Sequence, residues 1–192
     1  EEKVLPETIR VMTEKYKDLI NENRISAESR VLFVDDGSSD NTYERIKTLA
    51  DKESNISGLH FSRNFGKEAA MYAGLDNSTG DYVVIMDADL QHPPTMIPDM
   101  IEGIKEGYDC CAARRTTRKG EAPIRSFFSS MFYKVNQKMT NIDLVQGAVD
   151  FRIMTIDMVN SVLALSERQR FSKGIFAWVG FKTNWLPYEN VE

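Results

Sequence analysis

Short apolar runs alternate along this chain with helical patterns of about ten residues, and that alternation restricts the fold more than any other feature. The run at 31–34, Val-Leu-Phe-Val, is continuously apolar and ends in Asp35-Asp36-Gly37. It reads as a buried strand followed by a sharp turn. Asp40 or Asn41 then caps a helix that runs to about Asp51. Further strands are expected at 59–62, 82–86 and 108–113, and later at 147–154 and 181–187. Helices are expected at 4–20, 66–75, 94–106 (with proline in its first turn) and 155–165. Strands that alternate with helices imply βαβ units and a mainly parallel, Rossmann-like α/β sheet with helices on both faces. In such sheets ligands bind beyond the carboxyl ends of the strands.

Two of these strand ends carry paired acids. The strand at 82–86 runs into Asp87-Ala88-Asp89, and Asp35 and Asp36 end the earlier one, so the architecture aligns all four along one rim. Adjacent carboxylates resist joint ionisation, and a divalent cation relieves the repulsion. Hard oxygen ligands suit Mg²⁺ or Mn²⁺, which keeps positions open for substrate phosphates. The Gln91 carbonyl offers a further oxygen. The plainer alternative is that these acids cap the helix that follows Pro93-Pro94. A lone D-x-D favours that alternative, but a second acidic strand end beside it shifts the balance toward a binding site. In Asp35 to Asp40, one acid serves as a helix cap, and a leftover acid facing the rim can accept from a base N–H. Arg63-Asn64-Phe65-Gly66-Lys67 opens a helix with a glycine and a cation, which suits an anion or a nucleobase as well as it suits a solvated loop.

Composition narrows the class. A chain of 192 residues with 42% hydrophobic and 28% charged residues has an ordinary globular make-up and suits one domain spanning 1–192. A net charge of −5 argues against a nucleic-acid binder. Cys110 and Cys111 are neighbours in an apolar run, so they read as buried reduced thiols in a cytosolic protein, not as a disulfide or metal framework. No stretch approaches the eighteen apolar residues of a membrane span. The chain opens on Glu1-Glu2-Lys3 and directly in a helical pattern, which leads us to expect a soluble fragment that lacks a first strand and a C-terminal membrane part.

From 114 to 138 basic residues dominate: Arg114, Arg115, Arg118, Lys119, Arg125, Lys134 and Lys138, against the single acid Glu121. An amphipathic, Phe-rich pattern overlaps them, with Ile124, Phe127, Phe128, Met131, Phe132, Val135 and Met139 at helical spacing. Such a helix packs on protein or lies at a membrane surface with its cations near headgroups.

The segments VDDGSSDNT (34–42), SRNFGKEAA (62–70), GDYVVIMDADLQHPP (80–94), VDFRIM (149–154) and ERQRFSKGIFAWVGF (167–181) stand in order over most of the chain. Together they resemble the family 2 glycosyltransferases of GT-A fold. The nearest likeness is to the polyprenyl-phosphate group, related to dolichol-phosphate mannose synthase and the bactoprenol glucosyltransferases. The resemblance implies roles at matching positions. Asp35 or Asp36 would bind the nucleotide base, with Lys67 nearby. Asp87 would hold the sugar or ribose side of the donor, and Asp89 and Gln91 would ligate the metal on the diphosphate. Asp150 would be the carboxylate near the acceptor. Arg168, Arg170 and Lys173 would form a cationic loop closing on phosphates, with Arg170 and Lys173 stabilising charge as the bond breaks. The family's opening strand and Asn-Glu turn are represented only by Glu1-Glu2.

The resemblance further implies transfer, with inversion, of a sugar to a polyprenyl (undecaprenyl) phosphate at the cytoplasmic face of the plasma membrane. UDP-glucose is the expected donor for a bacterial protein, with N-acetylated sugars, aminoarabinose-type sugars or mannose as alternatives, and a saccharide is the alternative acceptor. A homo-oligomer is compatible with the sequence, which does not specify oligomeric state. A receiver-type signalling module is the non-enzyme rival, but its third acid would not be paired as D-x-D and Lys182 is poorly placed for its lysine. A dinucleotide-binding dehydrogenase lacks its G-x-G-x-x-G here.

Overall fold

The computed structural model describes residues 5–116, 145–167 and 170–189. Helix α1 covers Leu5–Asn21, strand β1 Val31–Asp35, α2 Thr42–Ala50, β2 Ile56–His60, α3 Lys67–Asp76 and β3 Tyr82–Ile85. A 3₁₀ turn at Pro94–Met96 leads into α4, Ile97–Lys105. Then come β4 at Cys110–Arg115, β5 at Ala148–Thr155, α5 at Ile156–Leu163, α6 at Ser172–Trp178 and β6 at Thr183–Tyr188.

Strands β1 and β2 pair in parallel, from Val31 opposite Ile56 to Asp35 opposite His60. The other four strands form a sheet in the order β3-β5-β4-β6. β4 and β6 pair in parallel, while β5 is antiparallel to both β3 and β4. It follows that β3, β4 and β6 share one direction and β5 alone opposes them. The expected α/β class holds, with β5 the one reversed strand of the four.

β4 forms the middle of the core. Cys111 and Ala113 on one face join Phe151 and Ile153 of β5 and the apolar side of α4, namely Ile97, Met100, Ile101 and Ile104. Cys110 and Ala112 on the other face join Met154 with Met158, Val159 and Val162 of α5. The two sets alternate along the strand, as side chains on a pleat must. Burial on both faces explains why this strand reads as an unbroken apolar run. Small side chains let α4 approach closely: a Cβ on Gly103 would lie 2.3 Å from Cys111 Sγ.

Both thiols are fully buried, and burial raises their pKa, that of Cys111 to about 11. Thiolate is the reactive form. Iodoacetamide at pH 8 is therefore expected to label neither cysteine in the folded protein and both in denaturant; labelling of native protein at the denatured rate would contradict the packing.

Strand β2 starts three residues earlier than its apolar pattern suggests. Gly58 hides it, because α2 lies so close that a Cβ there would meet Ile46 Cγ2 at 2.5 Å. Helix α6 carried no sequence expectation at all. The amphipathic pattern of 124–139, Arg118, Lys119, Arg125, Lys134, Lys138, Arg168 and Glu1-Glu2 lie outside the described residues. Among the described residues no helix is long and apolar enough to cross a membrane.

Candidate active site

The antiparallel β5 brings two carboxylates together. Ile85 of β3 pairs with Arg152 of β5. Carried on past the end of β3, the same register sets Asp87 across from Asp150. Lys67, the first residue of α3, inserts its ammonium between them, with Nζ 2.7 Å from Asp87 Oδ2 and 2.8 Å from Asp150 Oδ2. Three residues far apart in sequence thus meet at one strand end. Two carboxylates this close need a cation, and Lys67 supplies it.

Electrostatics follow the geometry. His92, and after it Lys67, hold the Asp87 carboxyl down to about 2 against the opposing pull of burial. A carboxyl lowered in the fold contributes stability that is whole above its ordinary value of 3.8 and is lost as the pH falls toward about 2. Asp87 is therefore charged throughout the neutral range. Partial burial disfavours the Lys67 ammonium, but its bonds to Asp150 and Asp87 outweigh this and raise its pKa.

Asp89 and Gln91 sit two and four residues beyond Asp87, both exposed, on a turn that Asp89 itself organises. Its Oδ1 accepts the Gln91 N–H at 3.0 Å, and Leu90 takes a positive φ of 58°. Helix α1 fastens the same turn, since Thr8 Oγ1 donates to the Ala88 carbonyl at 2.6 Å. Among the described residues no group of three His, Cys, Asp or Glu gathers to hold a metal unaided. The donors on this turn are hard oxygens. They fit a cation such as Mg²⁺ or Mn²⁺, which uses one or two protein ligands and draws the rest from water and phosphate.

Both acids of the Asp35-Asp36 pair have protein partners. Asp35 is only 2% exposed, and it accepts from Ser38 N–H, from Ser38 Oγ and from His60 Nδ1 at 2.6 Å. Both of its carboxylate oxygens are thus engaged by protein groups. Asp36 accepts the N–H groups of Phe65 at 2.7 Å and Gly66 at 2.8 Å, and so holds the loop that delivers Lys67. The acid that serves the helix start is neither of these: Asp40 Oδ1 accepts the Thr42 N–H. Sequence reasoning recognised the turn but could not see that β2 and the Arg63–Gly66 loop would consume both carboxylates.

Arg170 also has protein partners. Its guanidinium donates to the carbonyls of Val162 and Leu165, each at 2.9 Å, and lies over the Tyr72 ring at 4.7 Å. It closes the C-terminus of α5, where a cation suits the helix dipole, and it is not gathered with the carboxylates. Lys173 lies in the first turn of α6 and, among the described residues, forms no ion pair with Asp87 or Asp150. The link between this segment and the site is Glu68, beside Lys67, whose carboxylate accepts from Ser172 N–H and Ser172 Oγ. Arg152, two residues from Asp150, is 2% exposed and donates to the Val149 carbonyl at 2.9 Å, which stiffens the strand that presents Asp150.

His92 went unnoticed in the sequence. It is 5% exposed, with Nε2 3.7 Å from Asp87 Oδ2 and Nδ1 2.8 Å from the Tyr188 hydroxyl. Only its nearness to the D-x-D hinted at a role, because the Tyr188 partner lies 96 residues away.

The chain has relatives among known proteins. The chain is 47% identical over 88% of its length to a Bacillus subtilis protein named as the glycosyltransferase CsbB, covering 51% of that protein. It is 39% identical over 87% of its length to a prophage bactoprenol glucosyl transferase homolog of Escherichia coli, covering 55% of it. The chain thus spans about half the length of the curated relatives it matches. Its fold resembles that of the mannosyltransferase PcManGT from Pyrobaculum calidifontis, solved with GDP-Man and Mn²⁺, at a TM-score of 0.60 and 15% identity, over 97% of this chain and 52% of that one. Residues 1–163 match the sequence model of glycosyl transferase family 2, and the chain belongs to that family of transferase enzymes, with the GT-A fold.

Proposed function

We propose that the protein transfers a sugar, glucose from UDP-glucose, to a polyprenyl phosphate such as undecaprenyl phosphate at the cytoplasmic face of the plasma membrane, with inversion. The observation that carries this reading is the meeting of Asp87, Lys67 and Asp150 beside the Asp89–Gln91 turn. The likeness to a bactoprenol glucosyl transferase homolog supports the lipid acceptor.

In this reading Asp89 and Gln91 hold Mg²⁺ or Mn²⁺. When bound, the cation supplies Lewis-acid stabilisation of a departing diphosphate. Asp87 orients the sugar or ribose of the donor as an acceptor of its hydroxyl hydrogens. Lys67 balances the charge of Asp87 and Asp150 and offers an ammonium to an incoming phosphate. Asp150, on the strand opposite, faces the acceptor side. The attacking atom is a phosphate oxygen, anionic near neutral pH, so no strong general base is required. Asp150 therefore orients and does not deprotonate. The Asp36 carboxylate holds the Lys67 loop and is the member of its pair nearer the nucleotide. Lys173 and the segment around Arg168 supply charge to the phosphates.

The test is transfer of radiolabelled glucose from UDP-glucose by the full-length protein in vesicles containing undecaprenyl phosphate. The expected product is an organic-extractable labelled lipid that disappears on chelation. Label released only as free glucose, or transferred only to a soluble saccharide, would contradict the lipid-phosphate acceptor.

A further inference from the structure

His92 follows the exposed Gln91, yet it turns inward and is 5% exposed. Separate elements enclose its ring. The Tyr188 hydroxyl, at the end of β6, reaches Nδ1 at 2.8 Å, and Asp87 Oδ2 lies 3.7 Å from Nε2. The ring stacks on Phe151 of β5 at 5.9 Å and 11°, and Tyr188 meets it edge-on at 5.6 Å and 83°. Phe151 is the residue after Asp150. One buried ring therefore touches the ends of both elements whose carboxylates Lys67 bridges.

The groups that face its two nitrogens select the tautomer. A neutral imidazole has one N–H and one lone pair. An ionised carboxylate only accepts, so the nitrogen facing Asp87, Nε2, carries the hydrogen. Nδ1 then accepts, and the Tyr188 hydroxyl donates to it. The opposite tautomer would turn a lone pair toward the Asp87 carboxylate.

We propose that His92 and Tyr188 form a buried positioning pair that fixes Asp87 relative to Asp150 and so presets the donor side of the site. The separation of 3.7 Å is longer than a hydrogen bond, so the ring acts as a steric stop and an oriented dipole behind Asp87. What Asp87 does for the donor rests on the transferase reading above, whereas the pair's geometry does not.

Two measurements on the full-length protein test the pair. The first is kinetic. Tyr188→Phe removes one oxygen, His92→Phe keeps a stacking ring without nitrogens, and His92→Gln keeps an N–H donor. Losses in kcat/KM for the donor of about 10–100-fold are expected for Tyr188→Phe and His92→Phe, in the range of supporting-shell mutations. The KM for lipid phosphate should be unchanged, and His92→Gln should recover most of the loss. In an Asp87→Asn background His92→Phe should cost only about threefold or less, because its effect passes through Asp87. Additive losses, or an equal rise in acceptor KM, would overturn the proposal.

The second is spectroscopic. The ring signals in long-range ¹H–¹⁵N spectra that His92→Gln removes are those of His92. The Nε2–H tautomer is expected, with a changed tautomer balance in Tyr188→Phe; an Nδ1–H ring would overturn the pair whatever the kinetics. Should the wild-type protein transfer no sugar from any nucleotide sugar, the transferase reading fails, and the tautomer result still decides the pair.

Discussion

Asp89→Ala in the full-length protein is expected to lower sugar transfer by about 10³-fold or more, with an unchanged melting temperature. The side chain is exposed, and its only described bond is the Gln91 N–H within the same turn. Little folding energy is at stake, since the freed N–H meets water. Its proposed task is to hold the cation that stabilises a departing diphosphate, which is worth several kcal/mol, and each factor of ten in rate is about 1.4 kcal/mol. Initial rates of lipid-linked glucose formation, read beside a thermal melt, separate the two effects. Full activity would remove Asp89 from the metal site. Lost activity with a lowered melting temperature would assign it to the fold.

Gly37→Ala is expected to act on the fold as well as the site. Gly37 has a φ of +68°, and a Cβ there would lie 2.3 Å from the backbone carbonyl carbon of Arg63 and 2.7 Å from its Cα. The left-handed conformation costs a side-chain residue about 1–2 kcal/mol. Overpacking adds about 1–3 kcal/mol, and a backbone neighbour cannot swing aside as a flexible side chain would. The turn and the Arg63–Gly66 loop must then separate, breaking the bonds from Asp36 to the Phe65 and Gly66 N–H groups. Lys67 leaves with the loop. Gly107→Ala, after α4, is the control. Its φ of +86° is also positive, but nothing lies within 4 Å of its Cβ. Chemical denaturation should show Gly37→Ala destabilised by about 2–5 kcal/mol, clearly more than Gly107→Ala. Equal effects would mean that close approach of the two loops is unimportant.

The fold class and half of the site were legible in the sequence for a common reason. An apolar strand followed by Asp, Gly or Ser is a local pattern, and Asp87, Asp89 and Gln91 fall within one such turn. Their placement at a strand end needed no long-range knowledge. Asp150 was assigned by family likeness, and its meeting with Asp87 depends on β5 running antiparallel to β3, which no local pattern encodes. The protein partners of Asp35 and Arg170 were illegible for the same physical reason. A charged side chain in a turn looks available until its buried partners are known, and those partners, His60 for Asp35 and the α5 carbonyls for Arg170, come from packing. His92 and Tyr188 lie at opposite ends of the sheet's sequence and meet only when β6 closes beside β4.

The most direct measurement is an anomalous-scattering map of the full-length protein crystallised with UDP and Mn²⁺. The predicted result is one manganese peak bonded to an Asp89 oxygen and to the diphosphate, with Asp87 on the ribose side. Manganese and diphosphate bound elsewhere, with Asp89 turned to solvent, would contradict the assignment of this rim as the centre of sugar transfer.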